Sequence, residues 1–302
     1  MEKQLLTNSN DIRVLLITYN GGLFFEEQLA SILPQKRLES IHIYDDASDS
    51  SFKSKLIEYN SAKNITIHFN SKNLGVVANI KNAIRNNLDA KWLSLSDQDD
   101  VWEGEKFERV GQIIDKLTVD EQKLPILIYH DMSVINQQNE KIAPSFWELF
   151  RHGQHAHNLK TLLLENFVTG CTTIFNPTLG EFMTTLPIGL KSYHDHWLGL
   201  AAFTFGKVFK IDEPLNRYRK HDKNQAFREV VSQKLLFRRL RNIYYMIHPS
   251  AHMKEEFEIA SIFYDIYHDK MSIDKRTIYK NFLKQKDMSY FNQVVFRHAI
   301  LR

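Results

Sequence analysis

The front of the chain alternates short apolar runs with stretches of helical periodicity, and each run stops at a polar cluster. Ile12-Arg13-Val14-Leu15-Leu16-Ile17-Thr18-Tyr19 is rich in β-branched residues and ends at Asn20-Gly21-Gly22. A strand buried on both faces has this pattern, because neither side has to meet water. Phe25, Leu29 and Ile32 then recur at helical spacing, and Pro34 closes that segment. The alternation repeats. Ile41–Tyr44 is a second strand, residues 51–60 a helix, Ile65–Phe69 a third strand, Val77–Leu88 a helix and Lys91–Ser96 a fourth strand. The pattern predicts an α/β architecture with a mainly parallel sheet and helices on both faces.

In such sheets ligands bind beyond the carboxyl ends of the strands. Asn20 follows the first strand, Asp45 and Asp46 the second, and Asp97, Asp99 and Asp100 the fourth. Three polar clusters at one sheet edge predict a shared site. From about residue 125 the pattern loosens. Ile126–His130, Ile174–Phe175 and Val208–Ile211 read as strands, and the chain after residue 228 reads as helical. Leu236, Leu240, Ile243 and Ile247 share one helical face, with Arg238, Arg239 and Arg241 largely off it. Residues 226–302 carry a surplus of Lys and Arg, residues 1–225 a slight deficit. The expected division is a catalytic domain over 1–225 and a helical, basic extension over 226–302. That extension could lie on an anionic membrane surface or pack on the domain with its arginines in water.

Composition narrows the classes. The 43% hydrophobic and 25% charged fractions belong to a globular chain. The net charge of +3 gives no argument for nucleic acid. The lone Cys171 excludes an intrachain disulfide and fits a reducing compartment. The first eight residues lack a signal-like apolar core, and no run of about 18 apolar residues occurs. A cytoplasmic protein, at most peripheral at a membrane, is expected.

Ser96-Asp97-Gln98-Asp99-Asp100-Val101-Trp102 places three carboxylates within four residues. Like charges raise one another's pKa, so a loop carrying them beside a buried strand needs compensation. A hard divalent cation, Mg2+ or Mn2+, supplies it and can bridge to a diphosphate. The competing reading is a solvated acidic turn or helix cap. Tyr193-His194-Asp195-His196-Trp197 precedes an apolar helix and holds either a carboxylate base, a helix N-cap or a His-x-His zinc pair. No cysteine or evident third ligand supports zinc. Cys171 reads as a small packed residue, since nothing pairs it with a base.

These motifs together resemble glycosyltransferase family 2, the inverting, nucleotide-sugar-dependent enzymes of GT-A fold. The resemblance runs from about Val14 to Gln225 and looks closest to the rhamnosyltransferase-like branch of bacterial surface-polysaccharide synthesis. It is carried by Thr18-Tyr19-Asn20-Gly21, Asp45-Asp46-Ala47-Ser48-Asp49, Asn73-Leu74-Gly75, the acidic loop, His194-Asp195-His196-Trp197 and Tyr218-Arg219-Lys220-His221. It implies nucleotide contacts at Thr18, Tyr19, Asn20, Asp45, Asp46, Asn73, Gly75 and Asp97, with Asp45 on the base and Asp97 near the ribose. It implies a metal held by Asp99, with Asp97 and His221. Asp195 becomes the base that takes the acceptor proton. Gly170, Trp102, His194, His196 and Trp197 are expected around the donor sugar and acceptor, and Arg217, Arg219 and Lys220 are weaker phosphate candidates. Whether Asp100 faces the metal or caps a helix is open.

The implied reaction moves a sugar from a nucleotide-diphosphate donor, dTDP-rhamnose or a UDP-sugar, to a saccharide or lipid-linked saccharide. Two rival classes are a sugar-nucleotide nucleotidyltransferase and a non-catalytic saccharide- or membrane-binding protein. The first would carry a basic Gly-rich loop after the first strand, and Thr18-Tyr19-Asn20-Gly21-Gly22 has no basic residue. Tail aromatics such as Phe263, Tyr279 and Phe282 are expected in a core or a homodimer contact.

Overall fold

Strand β1 (Ile12–Thr18) lies inside the sheet, flanked by β2 (Leu38–Asp45) and β4 (Trp92–Ser96), both parallel to it. The computed structural model describes residues 11–190, 194–221 and 244–301. Leu15 and Ile17 face one apolar core and Ile12, Val14 and Leu16 the other, as a doubly covered strand requires. Helices α1 (Phe25–Ile32), α2 (Ser50–Tyr59) and α4 (Lys106–Ile114) contribute to the second core. Helix α3 (Val76–Arg85) and the helix His194–Phe205 contribute to the first.

The sheet continues through β3 (Ile65–Phe69), β5 (Val101–Trp102), β6 (Ile126–Ile135), β8 (Thr173–Phe175) and β9 (Lys207–Arg219) in the order β3-β2-β1-β4-β8-β6-β9-β5. The hairpin strand β7 (Lys141–Ala143) pairs with β6. Between the parallel strands β4 and β6 lies β8, antiparallel to both. That reversal positions the site. Leu93 pairs with Phe175 and Ser94 with Ile174, so the turn entering β8 falls where β4 ends. Thr18 pairs with Asp45, and Leu16 with Ser96, so β1, β2 and β4 end at this same edge.

Strand β9 runs thirteen residues and includes Tyr218 and Arg219, which the sequence pattern places after a strand ending near Ile211. Pro214 hides the continuity. It pairs opposite Asp131, where β6 shifts register on both sides, so the ladder absorbs a residue without an N–H. Most of the basic segment Leu235–Ile247 lies outside the described residues.

The helices Lys254–Tyr267, Ile273–Leu283 and Tyr290–Ile300 follow. Phe257, Phe263, Tyr279 and Phe282 are buried in the first core with Leu162, Trp197 and Leu200. Phe263 meets the Trp197 indole edge-on, with ring centroids 5.0 Å apart. No helix among the described residues is long and apolar enough to cross a membrane. Because these helices share the front domain's core, Phe263→Ala should lower global stability by about 3–5 kcal/mol. Denaturant unfolding should then show one transition displaced as a whole. A separate early transition for the tail would contradict the shared core.

Candidate active site

The acidic loop leaves β4 into a partly enclosed space. The Asp97 carboxyl is pushed up to about 7, first by burial and then by the charges of Asp99 and Asp195. Asp100 is wholly enclosed and raised well above the ordinary carboxylate range, by burial and then by Asp99 and Asp97. Its Oδ1 accepts from Arg219 N at 3.3 Å. Among the described residues its Oδ2 meets no N–H or O–H donor, only the weak thiol of Cys171. Ligand atoms of Asp97, Asp100 and Cys171 lie within 4.8 Å of one another. An unsatisfied buried carboxylate oxygen beside two further carboxylates fits a divalent cation. The Cys171 thiol is held protonated by burial and the neighbouring acids, so oxygen is the donor type on offer.

Asp99 stands on the outer side of this cluster. Its Oδ2 lies 2.8 Å from His221 Nε2, which joins the two expected metal residues to one another. His221 stacks on Phe24 with ring centroids 5.6 Å apart. Asp100, open in the sequence reading, faces Asp97 and Cys171.

The loops after β1 and β2 are built on carboxylates turned inward. Asp45 is fully enclosed and accepts from Thr18 Oγ1 at 3.3 Å, Ser48 N at 3.0 Å and Ser48 Oγ. It presents no open face to a base and acts as the organiser of its own loop. Asp46 accepts from Asn70 Nδ2, Leu74 N and Gly75 N at 2.8–2.9 Å, and so fixes the Asn73-Leu74-Gly75 turn. Asn73 Oδ1 also takes Gly75 N, and Gly75 has φ +81°, a conformation that excludes most side chains. Asn20, at φ +48°, ties the two loops together by accepting from Asp49 N at 2.9 Å and donating its own N–H to Ser48 Oγ at 2.8 Å. Tyr19 stays half exposed, its backbone held on both sides by the Gln98 amide.

The second pole comes from the helix His194–Phe205. Asp195 accepts from Asn166 Nδ2 at 2.9 Å, Gly170 N at 3.2 Å and His196 N at 2.7 Å. The turn Gly170–Thr172 therefore carries both poles: Gly170 N holds Asp195, and Cys171 adjoins Asp97 and Asp100. A Cβ at Gly170 would sit 2.3 Å from His194 Nε2, so glycine is needed for this approach. His194 is pushed down by burial, and its Nδ1 has no partner among the described residues.

Other expectations change with the packing. Trp102 is 2% exposed, lies against Phe107 and Lys106, and offers no face to a sugar. Trp197 is enclosed between Phe263 and Phe182 O, and His196 Nε2 is engaged with Leu162 O. His194 and His196 join no metal-ligand cluster among the described residues. Arg217 pairs with Glu103. Arg219 is wholly buried: Nε donates to Asp99 O, Nη1 to Asn139 and Nη2 to Glu27, and the guanidinium covers Phe24. Every donor edge faces protein, so it clamps the acidic loop and is not a phosphate ligand.

Lys106 escaped the sequence reading. Its ammonium is fully buried, pushed down to about 7 by that burial, with Asp100 and Asp97 within electrostatic reach. Its spacing to Val110 and Ile114, one apolar stripe of α4, was the available signal. Gln98 and Asn216 had none.

Residues 13–177 match the family described as glycosyl transferase family 2. The fold is that of GT-A glycosyltransferases, and the chain belongs to glycosyl transferase family 2. TarS 1–349 from S. aureus, in complex with UDP-GlcNAc, is 16% identical, with 93% of this chain and 74% of that one covered at a TM-score of 0.62. The mannosyltransferase PcManGT from Pyrobaculum calidifontis, with GDP-Man and Mn2+, is 12% identical over 98% and 76%, at a TM-score of 0.57. GalNAc-T7 with UDP, GalNAc and Mn2+ is 14% identical over 74% and 45%, at a TM-score of 0.51. At these identities the likeness is one of fold. No curated protein sequence matches the chain.

A carboxyl raised in the folded state binds its proton more tightly there than in the unfolded chain. Its ionisation therefore destabilises the fold as pH rises from about 4 through about 7. In EDTA, Asp97→Asn should melt close to wild type at pH 4 and at least about 3 °C above it at pH 8. Saturating Mn2+ should narrow the gap at pH 8. A constant difference across this range would argue against an uncompensated Asp97 charge.

Proposed function

We propose that this glycosyltransferase catalyses an inverting, metal-assisted transfer from a nucleotide-diphosphate sugar to a saccharide or lipid-linked saccharide. Residues 1–225 form its catalytic part and residues 226–302 an extension, whose described helices from Lys254 onward pack on it. The observation that carries the reading is the Gly170–Thr172 turn, which sets Asp195 and the acidic loop side by side.

An inverting displacement needs a base opposite the leaving group, within reach of the acceptor hydroxyl. Asp195 takes this role. Asn166, Gly170 N and His196 N fix its carboxylate through three donors. His194 and Gly170 border the same space on the sugar side. Asp97, Asp99 and Asp100 would hold Mg2+ or Mn2+, which neutralises charge on the departing diphosphate as a Lewis acid. His221 orients Asp99. Thr18, Tyr19, Asn20 and the Asn73–Gly75 turn line the nucleotide side, where Asp45 and Asp46 keep the loops in shape. The donor is dTDP-rhamnose or a UDP-sugar. The former follows the motif resemblance, and the latter agrees with the UDP-GlcNAc bound to TarS and the UDP bound to GalNAc-T7.

A thermal-shift screen of UDP, GDP and dTDP, with and without Mn2+, should pick one nucleotide whose stabilisation depends on the metal. Asp195→Asn should cut transfer by at least about a hundredfold while leaving that nucleotide shift intact. Equal loss of both would remove Asp195 from the chemistry. EDTA should abolish transfer and added Mn2+ or Mg2+ restore it, whereas full activity in thoroughly demetallated enzyme would contradict the metal role.

A further inference from the structure

Lys106, Cys171 and Asn216 close a triangle of hydrogen bonds with no solvent in it. Lys106 Nζ donates to Cys171 O at 3.1 Å and to Asn216 Oδ1 at 3.0 Å. Asn216 Nδ2 donates to Cys171 O at 2.9 Å. Lys106 and Asn216 are both 0% exposed, and Cys171 is 1% exposed. The three come from separate segments: α4, the turn before β8, and β9. A buried ammonium is tolerated only where its donors are met and opposite charge is near. Here two carbonyl acceptors, the Trp102 ring at 3.6 Å and the acidic loop meet that need together.

The carbonyl that Lys106 grips belongs to the residue after Gly170, whose N–H holds Asp195. That same residue's side chain adjoins Asp97 and Asp100. We propose that Lys106, with Asn216, is a positioning residue that locks the Gly170–Thr172 turn and thereby sets the spacing between the acidic loop and Asp195. The inference rests on the reading of Asp195 as the base. Neither Lys106 nor Asn216 touches substrate, since both are enclosed behind the turn. Their contribution is pre-organisation: a displacement of the turn moves base and leaving-group side apart and slows chemistry more than it weakens donor binding.

The single cysteine of the chain makes the turn directly observable. Cys171 is buried only while the turn is locked, so its reaction with the thiol reagent DTNB reports opening of this segment. Lys106→Met keeps the stem against Trp102 and deletes the charge and both donated bonds. Asn216→Ala deletes the other edge of the triangle and serves if Lys106→Met does not fold. Phe282→Ala, in the first core and outside the triangle, is the control for general destabilisation, matched in melting temperature by adjusting the assay temperature.

Full-length Lys106→Met and Asn216→Ala should label at least tenfold faster than wild type and clearly faster than the matched Phe282→Ala. With the donor found in the nucleotide screen, their kcat should fall at least tenfold while the donor KM stays within twofold. Phe282→Ala should change neither. Labelling no faster than the matched control overturns the proposal. So does fast labelling with wild-type kcat, which would make the triangle a stability element only. If wild type transfers no sugar from any donor, the functional reading of Asp195 fails on its own account. The labelling rates then decide the lock alone.

Discussion

Negative charge concentrated at the end of a buried strand is the constraint around which this molecule is arranged. Burial raises the cost of ionising Asp97 and Asp100, and the neighbouring acids add to it. The protein supplies two buried cations against them. Arg219 comes from the end of β9 and grips the loop by its backbone and by Asp100. Lys106 comes from α4 and lies behind Cys171. Neither neutralises the loop completely. Asp100 Oδ2 is left without an N–H or O–H donor among the described residues, and the Asp97 carboxyl stays near 7. An incompletely compensated cluster costs stability in the metal-free protein. It is also what gives such a loop affinity for a divalent ion, since a fully satisfied cluster would gain nothing from one.

The same demand shapes the sheet. If β9 ended near Ile211, no guanidinium would reach the acidic loop. The strand has to pass Pro214 to deliver Arg219, and the register shifts in β6 make this passage possible. The reversed strand β8 is equally necessary. Because it is antiparallel to β4, its beginning and not its end lies beside Asp97. The Gly170–Thr172 turn can therefore face the acids and hold Asp195 at once.

The periodic part of this architecture was legible in the residues. β1 to β4 and their helices follow from apolar runs and turn residues, and the polar clusters fall together at one sheet edge. The site was legible as a set of motifs but not as a set of contacts. Asp45 and Asp46 carry a strong sequence signal, yet their oxygens turn inward onto Ser48, Asn70, Leu74 and Gly75. Trp102 and Trp197 stand beside motif residues in the chain and pack into cores. Adjacency in sequence does not fix which way a side chain leaves a strand end or a helix turn. The converse holds for Lys106, Asn216, Gln98 and Glu27. Each acts through a partner 45 or more residues away, and no local pattern encodes that distance.

The inward-turned carboxylates explain how a loop-built site can be specific. Loops at a sheet edge have few apolar contacts and would sample many conformations. Here the main restraints are hydrogen bonds from backbone N–H groups to acidic side chains: Ser48 to Asp45, Leu74 and Gly75 to Asp46, and Gly170 to Asp195. Charge-assisted bonds of this kind are shorter and stronger than neutral ones, and burial protects them from water. The acidic residues around the cleft thus fall into two groups by orientation. One group faces the protein and makes the loops rigid. The other, Asp97, Asp99 and Asp100, is gathered on the acidic loop, where rigidity around it keeps the carboxylates from relaxing apart. Preorganised repulsion is therefore maintained by the first group and made available for cation binding by the second.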